Sequence, residues 1–211
     1  MSGAHSIMHF THINNLPGIL AGGSLQADNL VDRSSALQVE AADLAIKAVR
    51  KSAQVPLVPY GCVADYVPFY FAPRSPMLYR LHKGGVPNYT GGQDPLVYLV
   101  SSAEAVAVSG ASFVFSDGNC ASSVTSFSQD LTQIEYVVDW EVMRAQMWAN
   151  TADDPDRRRR RMAEFLVHDH VPIHCISEVV ARHDTIKKQV EGLLASSSID
   201  LPVSAKSSWY F

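Results

Sequence analysis

The sequence predicts an α+β protein whose sheet is mixed or antiparallel. Amphipathic helical patterns dominate the start of the chain, whereas short apolar segments separated by turn residues become frequent after residue 65. Helices and strands do not alternate strictly, as they do in βαβ folds. No G-x-G-x-x-G motif follows a predicted strand and the P-loop motif is missing, so classical dinucleotide and P-loop folds are disfavoured.

Length and composition are typical of one compact domain, which we assign to residues 1–211. With 211 residues and 47% apolar side chains, the chain can bury about 70% of the surface that it exposes when unfolded. Its formal charge of −4 provides no global positive field for polyanions. Any nucleic-acid site must therefore be local.

The cysteines and the N-terminal residues indicate a cytoplasmic protein. Cys62, Cys120 and Cys175 are an odd number without a C-x-x-C spacing, which argues against a disulfide framework and against a zinc site. Residues 1–9 lack the features of a signal peptide, and no segment has 18 consecutive apolar residues. We expect reduced thiols, no metal site and no membrane segment.

The first two elements bring polar side chains next to a short helix. His9 and Thr11 alternate on a predicted strand and point to one side, ahead of a helix over residues 13–20 that Asn14 or Asn15 caps and Gly22-Gly23 ends. Such a pair can bind an amide or a ribose hydroxyl. The alternative, favoured by the pattern alone, is that His9 satisfies a backbone group in the core.

A second helix is predicted over residues 39–51. Ala42, Ala45, Ile46 and Val49 recur at helical spacing and predict an apolar face. Arg50 falls on the opposite face, where the pattern indicates no more than a surface residue.

Residues 65–71 read as a strand in which Pro68 removes a ladder donor and indicates an edge or a bulge. Residues 74–79, which follow, have two interpretations of equal weight. An arginine, a serine and a tyrosine so close together suit single-stranded nucleic acid, whereas a turn before a core helix explains the same residues.

The remaining elements follow from local signals. Strands are predicted at 96–101, 112–116, 171–173 and 176–181, with a tight turn at 117–119. Asp139 can cap a helix that carries Trp140, Met143 and Met147 inward. A last helix contains Ile186, Val190, Leu193 and Leu194, and residues 209–211 form a strand or a docked tail.

The segment 153–167 joins five arginines, Arg157–Arg161, to a single carboxylate, Glu164, and then to an apolar run. Asp153 or Asp154 can cap a helix with Pro155 in its first turn. The arginines can equally form a solvated helix face, and an isolated Glu164 is more often a strand-edge residue than a catalyst.

Several motifs occur together in a specific order: H-F-T-H-I at 9–13, D-Y-V-P-F-Y at 65–70, R-S-P-M-L-Y at 74–79 and A-E-F-L-V at 163–167. In this order they resemble the DarT family of DNA ADP-ribosyltransferase toxins over nearly the whole chain. The resemblance implies an ADP-ribosyltransferase fold of the diphtheria-toxin and poly-ADP-ribose-polymerase type, with a split, mixed β-core. It also implies transfer of ADP-ribose from NAD to thymidine in single-stranded DNA, and a macrodomain antitoxin as partner.

The resemblance further implies site residues. Glu164 and Arg50 would be catalytic. NAD would be held by His9, Phe10, Thr11, Gly18, Gln26 and Arg50. DNA would be held by Arg74, Ser75, Pro76, Met77, Leu78, Tyr79, Gln146, Met147, Trp148, Ala149, Arg158, Arg159, Arg160, Arg161 and Met162.

The chemistry favours a division of labour between the two catalytic residues. A guanidinium is protonated at ordinary pH and makes a poor base, so we expect Arg50 to stabilise the diphosphate and Glu164 to act as base. Two other functions stay open: a transferase of this fold that modifies RNA or protein, and a non-catalytic module that binds single-stranded nucleic acid.

Overall fold

An eight-stranded sheet organises the protein in the computed structural model, which describes residues 4–31 and 37–211. Residues 1–3 and 32–36 of the predicted domain 1–211 lie outside the described part. The strands are β1 (Ser6–His12), β2 (Ser24–Gln26), β3 (Tyr66–Tyr70), β4 (Leu96–Ser102), β5 (Phe113–Ser116), β6 (Phe127–Ser128), β7 (Glu164–His168), β8 (His170–Pro172), β9 (Glu178–Ala181) and β10 (Val203–Ala205). The α-helices are α1 (Leu16–Gly22), α2 (Leu44–Ser52), α3 (Pro76–His82), α4 (Ala103–Val108), α5 (Ile134–Val137), α6 (Trp140–Arg144), α7 (Arg157–Arg160) and α8 (Asp184–Ser197).

The strand order of the large sheet is β10-β9-β4-β1-β3-β7-β5-β6. Strands β9 and β10 are parallel, and the other neighbours are antiparallel. A separate antiparallel pair joins β2 to β8. The predicted α+β class with a mixed sheet is therefore confirmed.

Both faces of the sheet are covered. On β4, Val97 and Leu99 pack into the core beside α8, whereas Tyr98 and Val100 pack into a second core beside α3 and the C-terminal residues. A central strand buried on both faces needs apolar residues at successive positions. This explains why residues 96–100 show no alternation of polar and apolar side chains.

The sheet is split between β1 and β3. Strand β1 pairs with β4 over all seven of its residues, but it pairs with β3 only at Met8 and Tyr70. Farther along, the carbonyl oxygen of Pro68 accepts a hydrogen bond from His9 Nδ1 at 2.8 Å. The expectation that Pro68 marks a sheet edge or a bulge is wrong, because β3 lies between β1 and β7 and its register with β7 is unbroken from Tyr66 to Tyr70. In an extended residue the nitrogen and the carbonyl oxygen face the same side, so the proline nitrogen faces the unpaired part of β1 and removes no ladder bond.

Two predictions about helix starts need correction. Asn15, one of the two residues predicted as cap, stands at the N-cap position of α1, but its side chain makes no capping bond; its Oδ1 accepts the N–H groups of Gln38 and Val39 at 2.9 Å each. Helix α2 begins at Leu44 rather than near Val39, because Asp43 accepts the N–H of Ala45 at 2.9 Å as N-cap. Asn15 thus fixes the chain that leads into α2.

The arginine segment also differs from the prediction. Helix α7 begins only at Arg157, and the preceding Asp156 makes no capping bond. Asp154 and Asp156 pair with arginine side chains instead. Helix α6 starts as predicted after Asp139, but it ends at Arg144, so that Met147 is 78% exposed instead of inward.

Candidate active site

A cavity of about 1410 Å³ opens where β1 and β3 separate. Its wall includes every residue that the sequence predicted for NAD and for catalysis: His9, Phe10, Thr11, Gly18, Gln26, Arg50 and Glu164. The apolar stripe of α2, which was predicted to be a core face, also lines it. No residue of α2 is buried. The helix therefore presents its apolar face to the cavity.

Arg50 and Glu164 form the central ion pair of the cavity. Arg50 Nη1 donates to both carboxylate oxygens of Glu164 at 2.9 Å, and Glu164 is only 1% exposed. Burial by itself would lower the pKa of Arg50, but attraction to Glu164 outweighs it and the pKa is raised. Arg50 Nη2 is buried without a hydrogen-bond partner. The guanidinium is therefore charged and keeps a donor for a ligand.

His9 is a neutral acceptor on the same wall. Because a carbonyl oxygen can only accept, His9 Nδ1 must carry the proton that it shares with Pro68, which leaves Nε2 as an acceptor. Burial lowers the pKa of His9 to about 4, and the charge of Arg50 acts in the same direction. The alternative that His9 satisfies a backbone group is thus confirmed, and the ring still has an acceptor for a ligand.

Thr11, two residues along β1, is oriented by Asn15. Its Oγ1 accepts a hydrogen bond from Asn15 Nδ2 at 3.1 Å. The hydroxyl proton of Thr11 is thereby left to donate. A donor and an acceptor consequently stand on alternate positions of one strand beside the cavity.

Residues behind Glu164 hold its backbone and were missed by the sequence analysis. Ser116 Oγ accepts the N–H of Glu164 at 3.0 Å and donates to the carbonyl of Gly118 at 2.7 Å. Burial, together with the charge of Glu164, raises the pKa values of Tyr70 and Cys120. These two groups therefore stay neutral beside the carboxylate.

The segment 74–79 divides between the cavity and the core. Pro76, Met77 and Tyr79 line the cavity. Ser75 caps α3 by accepting the N–H of Leu78 at 3.2 Å, and Leu78 is fully buried. The interpretation as a turn before a core helix is therefore confirmed, whereas the nucleic-acid interpretation stays a prediction for the side chains at the cavity wall. Arg74 does not belong to the cavity wall; its Cζ lies 4.5 Å from the centre of the Phe211 ring.

The segment 146–149 is also divided. Trp148 and Ala149 line the cavity, whereas Gln146 and Met147 do not. The ring of Trp148 lies edge-on to Tyr79, with centroids 5.9 Å apart. Two segments distant in sequence thus bring aromatic rings to one part of the cavity wall.

The arginine run contributes few residues to the cavity. Arg158 and Met162 line it, whereas Arg159 pairs with Asp117 and Asp156, and Arg160 pairs with Asp139 and Asp154. These two arginines therefore have acidic partners within the chain.

Arg161 points into the interior of the protein. It is 5% exposed and donates to the carbonyl oxygens of Pro73, Val142 and Met143. Burial lowers its pKa to about 10, so it is still charged at neutral pH. The structure thus does not bring residues 159–161 to the cavity.

No group of three or more His, Cys, Asp or Glu side chains in residues 4–31 and 37–211 could hold a metal ion. Within the same residues, no helix combines the length and the apolar character that a bilayer crossing requires.

Comparison with known proteins assigns the chain to a family. The family model described as "ssDNA thymidine ADP-ribosyltransferase, DarT" matches residues 8–211. The chain belongs to the DarT family. A DNA ADP-ribosyl transferase of Thermus sp. strain 2.9 is 42% identical over 188 residues, which cover 89% of this chain and 86% of that protein. A DNA ADP-ribosyl transferase-DNA ADP-ribosyl glycohydrolase fusion protein of Thermosipho africanus is 25% identical over 97% of this chain and 49% of its own length.

Solved structures confirm the predicted fold. Thermus sp. 2.9 DarT in complex with ADP-ribosylated ssDNA superimposes with a TM-score of 0.92 at 38% identity, over 99% of this chain and 97% of that chain. The same DarT in complex with NAD+ gives a TM-score of 0.88 at 36% identity, over 100% and 99% of the two chains. The ADP-ribosyltransferase fold expected from the motifs is therefore present.

Proposed function

We propose that this DarT family member transfers ADP-ribose from NAD to thymidine in single-stranded DNA, as the toxin of a toxin–antitoxin pair. The observation that carries the proposal is the buried Arg50–Glu164 pair, which shares one large cavity with the neutral His9 ring. The Thermus relative, which was solved with NAD+ and with ADP-ribosylated ssDNA, supports the same donor and acceptor.

Glu164 stabilises the transition state and accepts the proton. Cleavage of the bond between nicotinamide and ribose develops positive charge on the sugar, and a buried carboxylate stabilises that charge strongly. Nicotinamide leaves with the bonding electrons. The ribose C1 then bonds to a ring nitrogen of thymine, whose proton passes to Glu164.

Arg50 and the residues of β1 hold NAD. The free Nη2 of Arg50 suits a diphosphate oxygen, because the guanidinium is charged and rigidly paired. His9 Nε2 accepts from a ribose hydroxyl, and the hydroxyl of Thr11 donates to the carboxamide. Phe10, Gly18 and Gln26 complete the wall that contacts NAD.

The DNA enters past the aromatic side of the cavity. Tyr79 and Trp148 present rings on which a base can stack, and Arg158 supplies a charge beside them. Phosphate contacts set the register of the strand, so that one thymine reaches C1.

The acceptor is tested by incubating the protein with labelled NAD and separate pools of single-stranded DNA, RNA and protein. We expect label in DNA alone, and mass spectrometry should place one ADP-ribosyl group on thymidine. An oligonucleotide in which cytidine replaces every thymidine is the matched control and should stay unlabelled. Label in RNA or protein would favour the second transferase function, and absence of NAD consumption would favour a non-catalytic module.

We further propose a macrodomain antitoxin as partner and a cytoplasmic location. The fusion relative, which joins a transferase to a DNA ADP-ribosyl glycohydrolase, supports the partner. All three cysteines are free thiols, which suits a reducing compartment. Release of label from modified DNA by a macrodomain protein encoded beside this chain would test the partnership; persistence of the label would refute it.

A further inference from the structure

Two cations near the cavity rest on aromatic rings instead of carboxylates. Arg74 Cζ lies 4.5 Å from the centre of the Phe211 ring, and Lys83 Nζ lies 5.4 Å from the centre of the Tyr79 ring. Neither cation has an acidic partner within 4.0 Å among the described residues. An aromatic face holds a cation in place without neutralising its charge. Both cations thus keep their full charge for an external anion.

The two rings belong to one aromatic cluster that reaches the cavity wall. The Phe211 ring lies 5.0 Å from Tyr79 and 5.8 Å from His82, and Tyr79 lies 5.9 Å from Trp148. Tyr79, Lys83 and Trp148 line the cavity. A strand that stacks on Tyr79 or Trp148 therefore has Arg74 and Phe211 as its next neighbours.

The position of the Phe211 ring is fixed by its backbone. The N–H of Phe211 donates to Gln93 Oε1 at 3.0 Å, and its carbonyl oxygen accepts from Arg182 Nη2 at 3.1 Å. The preceding Tyr210 is buried and donates its hydroxyl proton to the sheet. The ring is thus a rigid support.

Arg74 is held in a costly conformation beside this support. Its φ of 57° lies in the left-handed region, which is unfavourable for a residue with a side chain. Its Nε is buried without a hydrogen-bond partner. Strain and an unsatisfied polar group together are features of binding residues.

We propose that Phe211 is a positioning residue for DNA: its ring orients the Arg74 guanidinium toward a phosphate of the strand that passes Tyr79 and Trp148. The inference rests on the proposed function and adds a residue from outside the motifs of the sequence analysis. The ring itself does not contact the reacting atoms.

The test compares Phe211→Leu, which keeps an apolar side chain but loses the π-face, with Phe211→Tyr, which restores it. We expect F211L to raise KM for a thymidine oligonucleotide about 3-fold, the size of an exposed cation–aromatic pair. The salt dependence of DNA binding should fall by up to about 0.7 in log–log slope, the value for one phosphate contact on single strands. KM for NAD and kcat should not change, and F211Y should restore KM for DNA.

A double-mutant cycle with Arg74→Gln locates the effect. If Phe211 acts through Arg74, F211L should add nothing to R74Q; additive effects would overturn the inference. An equal rise in KM for NAD would assign Phe211 a general structural role and would also overturn it. If the wild type does not modify single-stranded DNA, the proposed function itself fails and this inference with it. A modifying wild type together with an unchanged F211L refutes the role of Phe211 alone.

Discussion

Glu164 and the arginines that precede it are close in sequence, but their charges have different surroundings. The carboxylate of Glu164 is buried, with one cationic partner that still has a free donor. Arg159 is paired with two aspartates and Arg160 with three, and Arg161 is enclosed by backbone carbonyl groups. A dense run of like charges is therefore not in itself a binding surface.

The difference shows which charges a ligand can meet. Most of the arginines in the run Arg157–Arg161 form ion pairs within the chain, and the formal net charge is −4. The cations left for DNA beside the cavity are Arg158, Arg74 and Lys83, none of which has an acidic partner among the described residues. Steering by a few well-placed charges fits a protein without a global positive field.

The largest expected effect on transfer activity is that of Glu164→Gln. The amide keeps one acceptor for Arg50 but removes the negative charge that stabilises the ribosyl cation. We expect transfer to fall by roughly 10³-fold, whereas affinity for single-stranded DNA should be retained. Initial rates with labelled NAD measure the effect. Glu178→Gln is the matched control, since Glu178 also begins a strand but pairs with Lys206; near-normal transfer by E164Q would remove Glu164 from the mechanism.

The next effect concerns stability. Arg161→Ala deprives the carbonyl groups of Pro73, Val142 and Met143 of a buried charged donor. We expect the free energy of unfolding to fall by about 3 kcal/mol, as measured by denaturant titration. Arg158→Ala should change it by less than about 0.5 kcal/mol. Equal losses in the two variants would contradict the division of the run into an enclosed part and an accessible part.

The smallest expected effect separates a free arginine from a paired one. Arg158→Gln should weaken binding of single-stranded DNA about 3-fold and lower the log–log salt slope by about 0.7, because one phosphate contact is lost. Arg159→Gln is the control. It should lower thermal stability, since Asp117 loses its partner and Asp156 loses the closer of its two partners, and leave the slope unchanged. A slope that responds to Arg159 instead would reverse the assignment.

Local patterns predicted most elements but not their partners. Alternation located β1, an apolar run between turn residues located β4, a cap located α6 and helical spacing located α8, because the causes of these elements lie within a few residues. Asn14 or Asn15 was predicted to cap a helix with its side chain, because the true partners of Asn15, Gln38 and Val39, are more than twenty residues away. Pro68 was predicted at an edge or a bulge for a related reason. The strand propensity of residues 65–71 cannot show which part of the neighbouring strand β1 stays unpaired.

The site was predictable only through the order of motifs. Arg50 and Glu164 are 114 positions apart, and helical spacing alone made Arg50 a surface residue. The resemblance to the family assigned both residues to the NAD site. Ser116 and Phe211 lie outside the family motifs, and neither was assigned a role from the sequence. For Arg159–Arg161 the sequence predicted DNA contacts, whereas the structure does not bring these residues to the cavity. The composition shows their charge but not the aspartates that pair with Arg159 and Arg160.

The single ladder pair between β1 and β3 has a consequence for how the cavity persists. An imino acid at position 68 offers no proton to the facing strand, and an imidazole occupies the carbonyl that remains. The two strands therefore cannot form a further ladder bond at Pro68. The covalent chemistry of residue 68 thus helps to keep the cavity open.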